Sequence, residues 1–469
     1  MNLNRPPILT ALAIIILSLT IHASAEWNEQ VLYSFQGNPN DGYWPTGRVV
    51  FDKAGNLYGA TTGWGPGNCF PIANECGLVY ELSPPAQKGD PWTETILYEF
   101  QGKESNDGSV PYSGLLIDSH GNLYGATAWG GTGDCRLLGV AGGCGTVYEL
   151  SPPAKKGDPW METILYSFAN TTDGYFPWGD LTFDAKGNLY VATRFGGGKG
   201  TNCDPEFNQY CGAVFELSPP RQKGGAWTEK LLHAFAGVTN GQQPGDGAAP
   251  NGGLVLDTQG AIYGTTYYGG NNQKGTCEGG SWGTGCGIVF KLVPPKKKGG
   301  IWTEKMLHLF DGTDGDLPTA GVIVDGKGNL YGTTYGGPIH GHGLVFELEK
   351  PSGKRLSWKE TVIYAFKDGN DGGYPDAGLL FDASGHLYGT ASAAGAGRGG
   401  TVFRITPLRN GNWDFIVLHD FTGNPDGAYP DATLVFDKAG NLYGTTLWAG
   451  SGGQACGNYG CGTVFEVSP

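Results

Sequence analysis

The sequence predicts an all-β protein: a seven-bladed β-propeller of four-stranded antiparallel blades, closed by the N-terminal strand joining the last blade. Three observations lead there. The 469 residues include 83 Gly and 29 Pro, about a quarter of the chain, which excludes long helices and coiled coils as the main architecture. At 39% hydrophobic and 12% aromatic, the chain is nonetheless too rich in core-forming residues to be disordered. Finally, one block recurs in a single ungapped register: D-G-x-x-P, six residues, then D-x-x-G-x-[L/I]-Y. It starts at Asp41, Asp107, Asp173, Asp246, Asp314, Asp371 and Asp426.

Each repeat carries four strand patterns. The first follows the proline. In the first repeat it is RVVFD at 48–52, a nearly continuous apolar run that predicts burial on both faces and a place nearest the axis. A tight D-x-x-G-N turn leads to NLYGATT at 56–62, then GLVYEL at 77–82. The fourth strand is WTETILYEF at 92–100, where Trp92, Glu94, Ile96, Tyr98 and Phe100 share one face by period two, as suits an outer strand. Equivalent Trp-led strands begin at Trp27, Trp160, Trp227, Trp302, Trp358 and Trp413. Four short strands per repeat of this length is the pattern of a propeller blade.

The phase of the repeats predicts how the ring closes. The first Trp strand, Trp27 to Phe35, precedes its own proline strand, while the last repeat ends after its third strand at Val467. The N-terminal strand can therefore complete the final blade and remove the open edges.

Residues 1–25 hold Arg5, an apolar run from Ile8 to Ile21 and Ala23-Ser24-Ala25, which reads as a signal peptide cleaved after Ala25. Residues 26–469 then form one propeller domain, secreted or periplasmic. The formal net charge is −14, and losing Arg5 with the leader makes it one unit more negative. Such a surface disfavours nucleic acid and anionic lipid. The expectation is a monomer with no membrane insertion after cleavage.

The string DG-x-x-P…LvfD-x-x-GNLYGtT…GtVFEl resembles the GloVer tandem repeat of bacterial surface and secreted proteins, over essentially all of residues 27–469. The resemblance implies an exported, propeller-like repeat protein, often with a C-terminal sorting anchor that this chain lacks. It supplies no catalytic or binding residues. The D-x-x-G-N-[L/V]-Y block is also similar to the wider NHL and regulator-type propellers, an analogy that supports the fold only.

Ten cysteines fall into five local pairs between the second and third strands of a blade: Cys69/Cys76, Cys135/Cys144, Cys203/Cys211, Cys277/Cys286 and Cys456/Cys461. An even count behind a leader favours disulfides, and the local pairing is one of many connectivities ten cysteines allow. Closing a loop of about eight residues stabilises by roughly 2.5 kcal/mol on the chain-entropy model. No free thiol is expected. The spacings are not those of a zinc site.

Candidate ligand-binding residues lie on the face that gathers the D-G-x-x-P and cysteine loops. They are Trp64, Trp129, Phe195, Tyr268 and Trp448 in the second-to-third-strand loops, with Tyr43, Trp44, Tyr175 and Phe176 in the D-G loops, to which Tyr374 and Tyr429 belong as well. Aromatic faces beside carboxylates suit a neutral polysaccharide; packing between blades is the competing account. Arg194 departs from the repeat beside Phe195. His340 and His342 form a weak metal pair without a third ligand, and no cofactor is expected. The seven repeat Asp could suit Ca²⁺, but capping of a turn explains them better. His233, His308 and His419 replace Tyr in the Trp strands and read as structural.

No H-E-x-x-H or P-loop is present, and no G-x-S-x-G stands in a strand–helix setting. The favoured reading is a binding or structural module for extracellular carbohydrate or a cell-surface protein. The alternative is a polysaccharide lyase or hydrolase on the loop-rich face. One deep pocket of shifted pKa values that breaks the sevenfold pattern would distinguish the enzyme from the binder.

Overall fold

Strand pairing in the computed structural model resolves into seven four-stranded antiparallel blades, each in the order first, second, third, fourth strand outward from the axis. The structure describes residues 27–469 except 38–40, 64–68, 70–75, 88, 138–139, 156, 170–172, 199–210, 223, 238–244, 271–284, 338–340 and 452–453. The fourth blade is representative: Val255–Leu256, Ile262–Thr266, Ile288–Val293 and Thr303–Leu309. The last blade takes Val435–Phe436, Leu442–Thr446 and Thr463–Ser468 from the C-terminal end and Asn28–Ser34 from the N-terminal end. Asn28 pairs with Ser468 and Ser34 with Thr463, so the ring closes as the sequence predicts.

The first strand does lie nearest the axis, but it is not buried on both faces. Leu116–Ile117, Val255–Leu256 and Leu380–Phe381 are all half-buried, because one face opens onto a central channel. The deepest burial belongs to the second strand, for example Leu123–Thr127, buried throughout. The third and fourth strands carry a register shift in every blade, as between Val79 and Tyr80, which adds twist to the outer edge.

The same contacts recur at every blade junction. The Phe that ends each fourth strand meets the aromatic residue of the next blade's third strand edge to face. Phe100 and Tyr148 have ring centroids 5.1 Å apart, Phe235 and Phe290 5.1 Å, and Phe421 and Phe465 5.0 Å. Phe35 against Tyr80, at 5.1 Å, carries the pattern across the closure. Nearer the loop face, the N–H of the residue before each repeat proline donates across the junction. Val110 donates to the Cys76 carbonyl (2.8 Å), Phe176 to Cys144 (3.1 Å), Ala249 to Cys211 (2.8 Å), Leu317 to Cys286 (2.9 Å) and Trp44 to Cys461 (2.9 Å). In the cysteine-free blades His342 and Gly399 take over, accepting from Tyr374 and Tyr429 at 2.8 Å each. The glycine that follows the acceptor lies against the next blade's proline: a Cβ on Gly400 would sit 2.6 Å from Pro430 Cδ and 2.4 Å from the Ala391 carbonyl. The recurring Gly and Pro are thus the two halves of one close approach.

Disulfides join Cys69 to Cys76, Cys135 to Cys144 and Cys456 to Cys461. Cys211 and Cys286 are also disulfide-bonded, and no described cysteine is free; Cys203 and Cys277 lie outside the described residues. Such bonds suit an extracellular or periplasmic setting. Among the described residues no helix is long and apolar enough to cross a membrane. Residues 1–25, read above as a signal peptide, lie outside the described residues.

Candidate ligand site in the central channel

The repeat carboxylates are architectural in geometry. Asp107 accepts from the Gln101 N–H (2.7 Å), the Gly108 N–H (2.6 Å) and the Tyr98 hydroxyl (3.0 Å). It thereby ties the end of one fourth strand to the loop that enters the next blade. Asp41, Asp173 and Asp371 bind Tyr33, Tyr166 and Tyr364 alike. Where the strand carries histidine, its Nε2 reaches the same carboxyl: His233–Asp246 at 3.3 Å, His308–Asp314 at 3.0 Å and His419–Asp426 at 3.3 Å. Among the described residues no three Asp, Glu, His or Cys cluster as metal ligands. His342 instead pairs with Asp368 at 3.7 Å, and His340 lies outside the described residues.

The aromatic candidates divide. Trp129, Tyr175 and Phe195 are only 5%, 3% and 5% exposed. They pack against other rings: Trp129 on Phe176 at 4.9 Å and Tyr175 on Phe195 at 5.3 Å. These rings fill space between blades. Tyr43, Trp44, Phe176, Tyr268 and Trp448 remain half-buried. Tyr43 stands edge-on to Trp44, Tyr268 edge-on to Tyr267 at 4.6 Å, and Trp448 tilts on Tyr429 at 4.5 Å. Trp64 lies outside the described residues.

The asymmetric chemistry lies deeper, in a channel of about 990 Å³ to which all seven blades contribute. Two register positions shape its loop-side half. Directly after each repeat proline stand Thr46, Tyr112, Trp178, Asn251, Thr319, Asp376 and Asp431; at the end of the second strands stand Arg194, Tyr267, Tyr335 and Leu447. On one wall Tyr112 stacks on Trp178 at 4.0 Å. The Arg194 guanidinium lies 5.4 Å from the Trp178 and Phe195 ring centres and 5.8 Å from that of Tyr267, so three rings hold it by cation–π contact. Lower in the channel Arg48 and Asp180 pair at 3.8 Å, and Asp180 also accepts from the Gly114 N–H at 2.7 Å.

Across from Arg194, two carboxyls on neighbouring blades face the channel. Burial pushes Asp376 up to about 7, and its hydrogen bond from Ser392 Oγ (2.8 Å) only partly offsets this. Burial, then the charge of Asp376, pushes Asp431 up to about 7 as well. Both residues are half-buried and line the channel. Burial, with Asp376 and Asp431 nearby, raises the Tyr429 hydroxyl to about 12. Tyr267 is also raised, by burial first, with Asp376 and Tyr335 acting against the lowering influence of Arg194. The hydroxyls and carboxyls of four blades, with the guanidinium of a fifth, therefore share one electrostatic neighbourhood. Of these channel-lining residues, sequence reasoning singled out Arg194 and did not single out Asp376 or Asp431. Their signal was present: only these two repeats place Asp directly after the proline.

Fold and site together define a disulfide-stapled, seven-bladed repeat propeller with one asymmetric channel mouth. The chain belongs to the Gloeobacter/Verrucomicrobia repeat family, whose model matches residues 70–278 and 276–469. No curated protein matches it in sequence. Among solved structures it is similar to a protein of unknown function from Dyadobacter fermentans, with 13% identity, TM-score 0.41, and coverage of 83% of this chain and 98% of that one. It is similar to the PQQ-bound aldose sugar dehydrogenase of Streptomyces coelicolor, with 13% identity, TM-score 0.40, and coverage of 95% and 98%. A putative 6-phosphogluconolactonase from Bacteroides fragilis shows 13% identity, TM-score 0.46, and coverage of 83% and 87%.

Proposed function

We propose that the protein is an exported binding propeller that takes the end of a carbohydrate chain into the loop-side mouth of its channel. One observation carries this reading: here alone among the described residues do rings, a guanidinium and carboxyls from five blades converge while departing from the sevenfold pattern. Sugar rings bind to such surfaces by stacking on aromatic faces and by hydrogen bonds to a few placed polar groups. The leader and the disulfides support export, and the acidic surface speaks against nucleic acid as partner. A glycan array with the secreted protein, with and without EDTA, tests the reading. Binding should weaken about tenfold or more in Arg194→Ala and Trp448→Ala, a loss of at least about 1.4 kcal/mol. Silence on all glycans under both conditions would overturn it.

A second reading has its own observation. Asp376 and Asp431, both raised to about 7, sit in the range that general acid–base chemistry needs. Under it the protein cleaves the polysaccharide it binds. Turnover of a bound glycan, abolished in Asp376→Asn and Asp431→Asn, would establish the enzyme; binding with no new reducing or unsaturated ends leaves the binder.

A further inference from the structure

The two carboxyls that break the repeat lack the cation that such a pair requires. Among the described residues no Lys, Arg or His acts on either of them, and Asp376 has Ser392 Oγ as its side-chain partner. Asp431 Oδ1 accepts no hydrogen bond. A third acceptor is equally idle. Asn251, only 7% exposed, lines the same channel at the same step after its proline, and its Oδ1 accepts nothing. Buried acceptors left unmet in a native structure call for an explanation. Around them stand the rings of Tyr267, Tyr335, Tyr429 and Trp448.

Two carboxyls, an amide oxygen and electron-rich ring faces make an array of acceptors with no donor of positive charge. Its chemical complement is an ammonium group, which has three N–H donors, no acceptor and an affinity for aromatic faces. A neutral hydroxyl would meet one or two of these acceptors and leave the charges uncompensated. We propose that the channel mouth binds a primary ammonium group, carried by the amino sugar of a deacetylated glycan. This rests on the carbohydrate reading above and names its ligand class. The sugar's hydroxyls then face the opposite wall, where the Arg194 guanidinium lies among the rings of Trp178, Phe195 and Tyr267.

The charge state gives the site a signature. With both acids near 7, the pair is largely protonated at pH 5.5 and ionised at pH 7.5. Affinity for an ammonium should therefore rise as pH climbs through that interval, by up to about tenfold per unit for each ionisation required. A neutral glycan would show no such rise.

Calorimetry on the mature protein tests this with three probes of defined chemistry: a glucosamine oligomer, the N-acetylglucosamine oligomer of equal length, and spermidine. The expected result is at least about tenfold tighter binding of the glucosamine oligomer than of its acetylated partner. Asp376→Asn and Asp431→Asn should each weaken it about tenfold with the melting temperature unchanged, and the wild type should show the pH rise with spermidine, whose amines stay protonated across the interval in which a sugar amine loses its proton. Equal or tighter binding of the acetylated oligomer overturns the ammonium site and leaves the carbohydrate reading standing. Spermidine binding alone keeps the ammonium site and overturns the carbohydrate. No binding by any probe overturns both.

Discussion

Strain is placed in register at the residue before each repeat proline. Trp44, Val110, Phe176, Ala249, Leu317, Tyr374 and Tyr429 all have positive φ, between 53° and 64°. Residues other than glycine rarely adopt that conformation, and for β-branched Val110 it is especially unfavourable. Each is held there by its N–H bond across the junction, so backbone strain is exchanged for blade cohesion. The opposing glycine has no such latitude. Gly400 has φ of 96°, and a Cβ there would meet Ala391 O and Pro430 Cδ. Gly400→Ala should lower the unfolding free energy by roughly 2–4 kcal/mol. Urea titration reads it directly, and a shift under about 0.5 kcal/mol would show that the junction yields more easily than this geometry implies. The swap of Tyr for His at 233, 308 and 419 was legible in the sequence as a substitution. Its meaning was not: either side chain reaches the same Asp, from a loop whose path the sequence does not specify.

At the scale of the element, the D-x-x-G-N turn is self-contained and was therefore readable. Asp52 Oδ1 accepts from the Ala54 and Asn56 N–H groups at 2.8 and 2.9 Å, and the Asn56 amide donates to Oδ2 at 2.9 Å. Departures are repaired locally. The sixth blade has His386 in place of Asn, with Nδ1 2.7 Å from Asp382 Oδ2. The fourth has Ala261 there, and Lys291, on a different strand, reaches Asp257 at 3.2 Å. Burial works upward on Asp257, but the Ala261 N–H and the Lys291 ammonium outweigh it and hold the carboxyl below its ordinary range. Lys291→Met should cost about 1–2 kcal/mol by leaving that carboxyl short of a partner. The exposed Lys186→Met should change stability by less than about 0.5 kcal/mol. Equal denaturation midpoints for the two variants would show that Lys291 repairs nothing.

The whole ring is sensitive to pH through its junctions. In six of seven, a Glu stands two residues after the fourth-strand Trp: Glu29, Glu94, Glu162, Glu229, Glu304 and Glu360. At the seventh, Phe415 occupies the position and stacks on Tyr364 at 3.9 Å. Glu94 meets Asp41 and Tyr33, Glu162 meets Asp107, and Glu229 meets Asp173; Glu360 faces His308, Asp314 and Lys359, while Glu29 faces His419 and Asp426. Burial raises Glu94 and Glu162 from 4.5 to about 8, and Glu29, Glu229 and Glu360 to about 7. A raised folded-state value means the folded protein holds more protons. Stability from these groups is complete below about pH 4.5 and is lost as pH rises through 7 to 8. The turn carboxyls Asp118, Asp184, Asp257 and Asp382 are depressed, so their contribution is lost on the acid side instead. The melting temperature should therefore peak in mildly acid solution and fall by several degrees towards pH 9. Glu94→Gln and Glu162→Gln should flatten that fall. A wild-type melting temperature that climbs from pH 6 to 9 would sink the idea.

Periodicity alone carried the blade count, the strand order and the pairing of Asn28–Ser34 with the last blade, because each is a consequence of local pattern and of where the repeat starts and stops. The Cys135–Cys144 bond was likewise visible as a short-range pair. The channel was not. Asp376, Asp431, Arg194 and Asn251 stand far apart in the chain and look like isolated departures from a repeat. Only closure of seven blades about one axis brings them to a shared mouth, where confinement, and not residue type, raises the two acids. Burial of Trp129, Tyr175 and Phe195 was equally a matter of closure: a ring at a loop entrance becomes core or surface according to how the next blade packs over it.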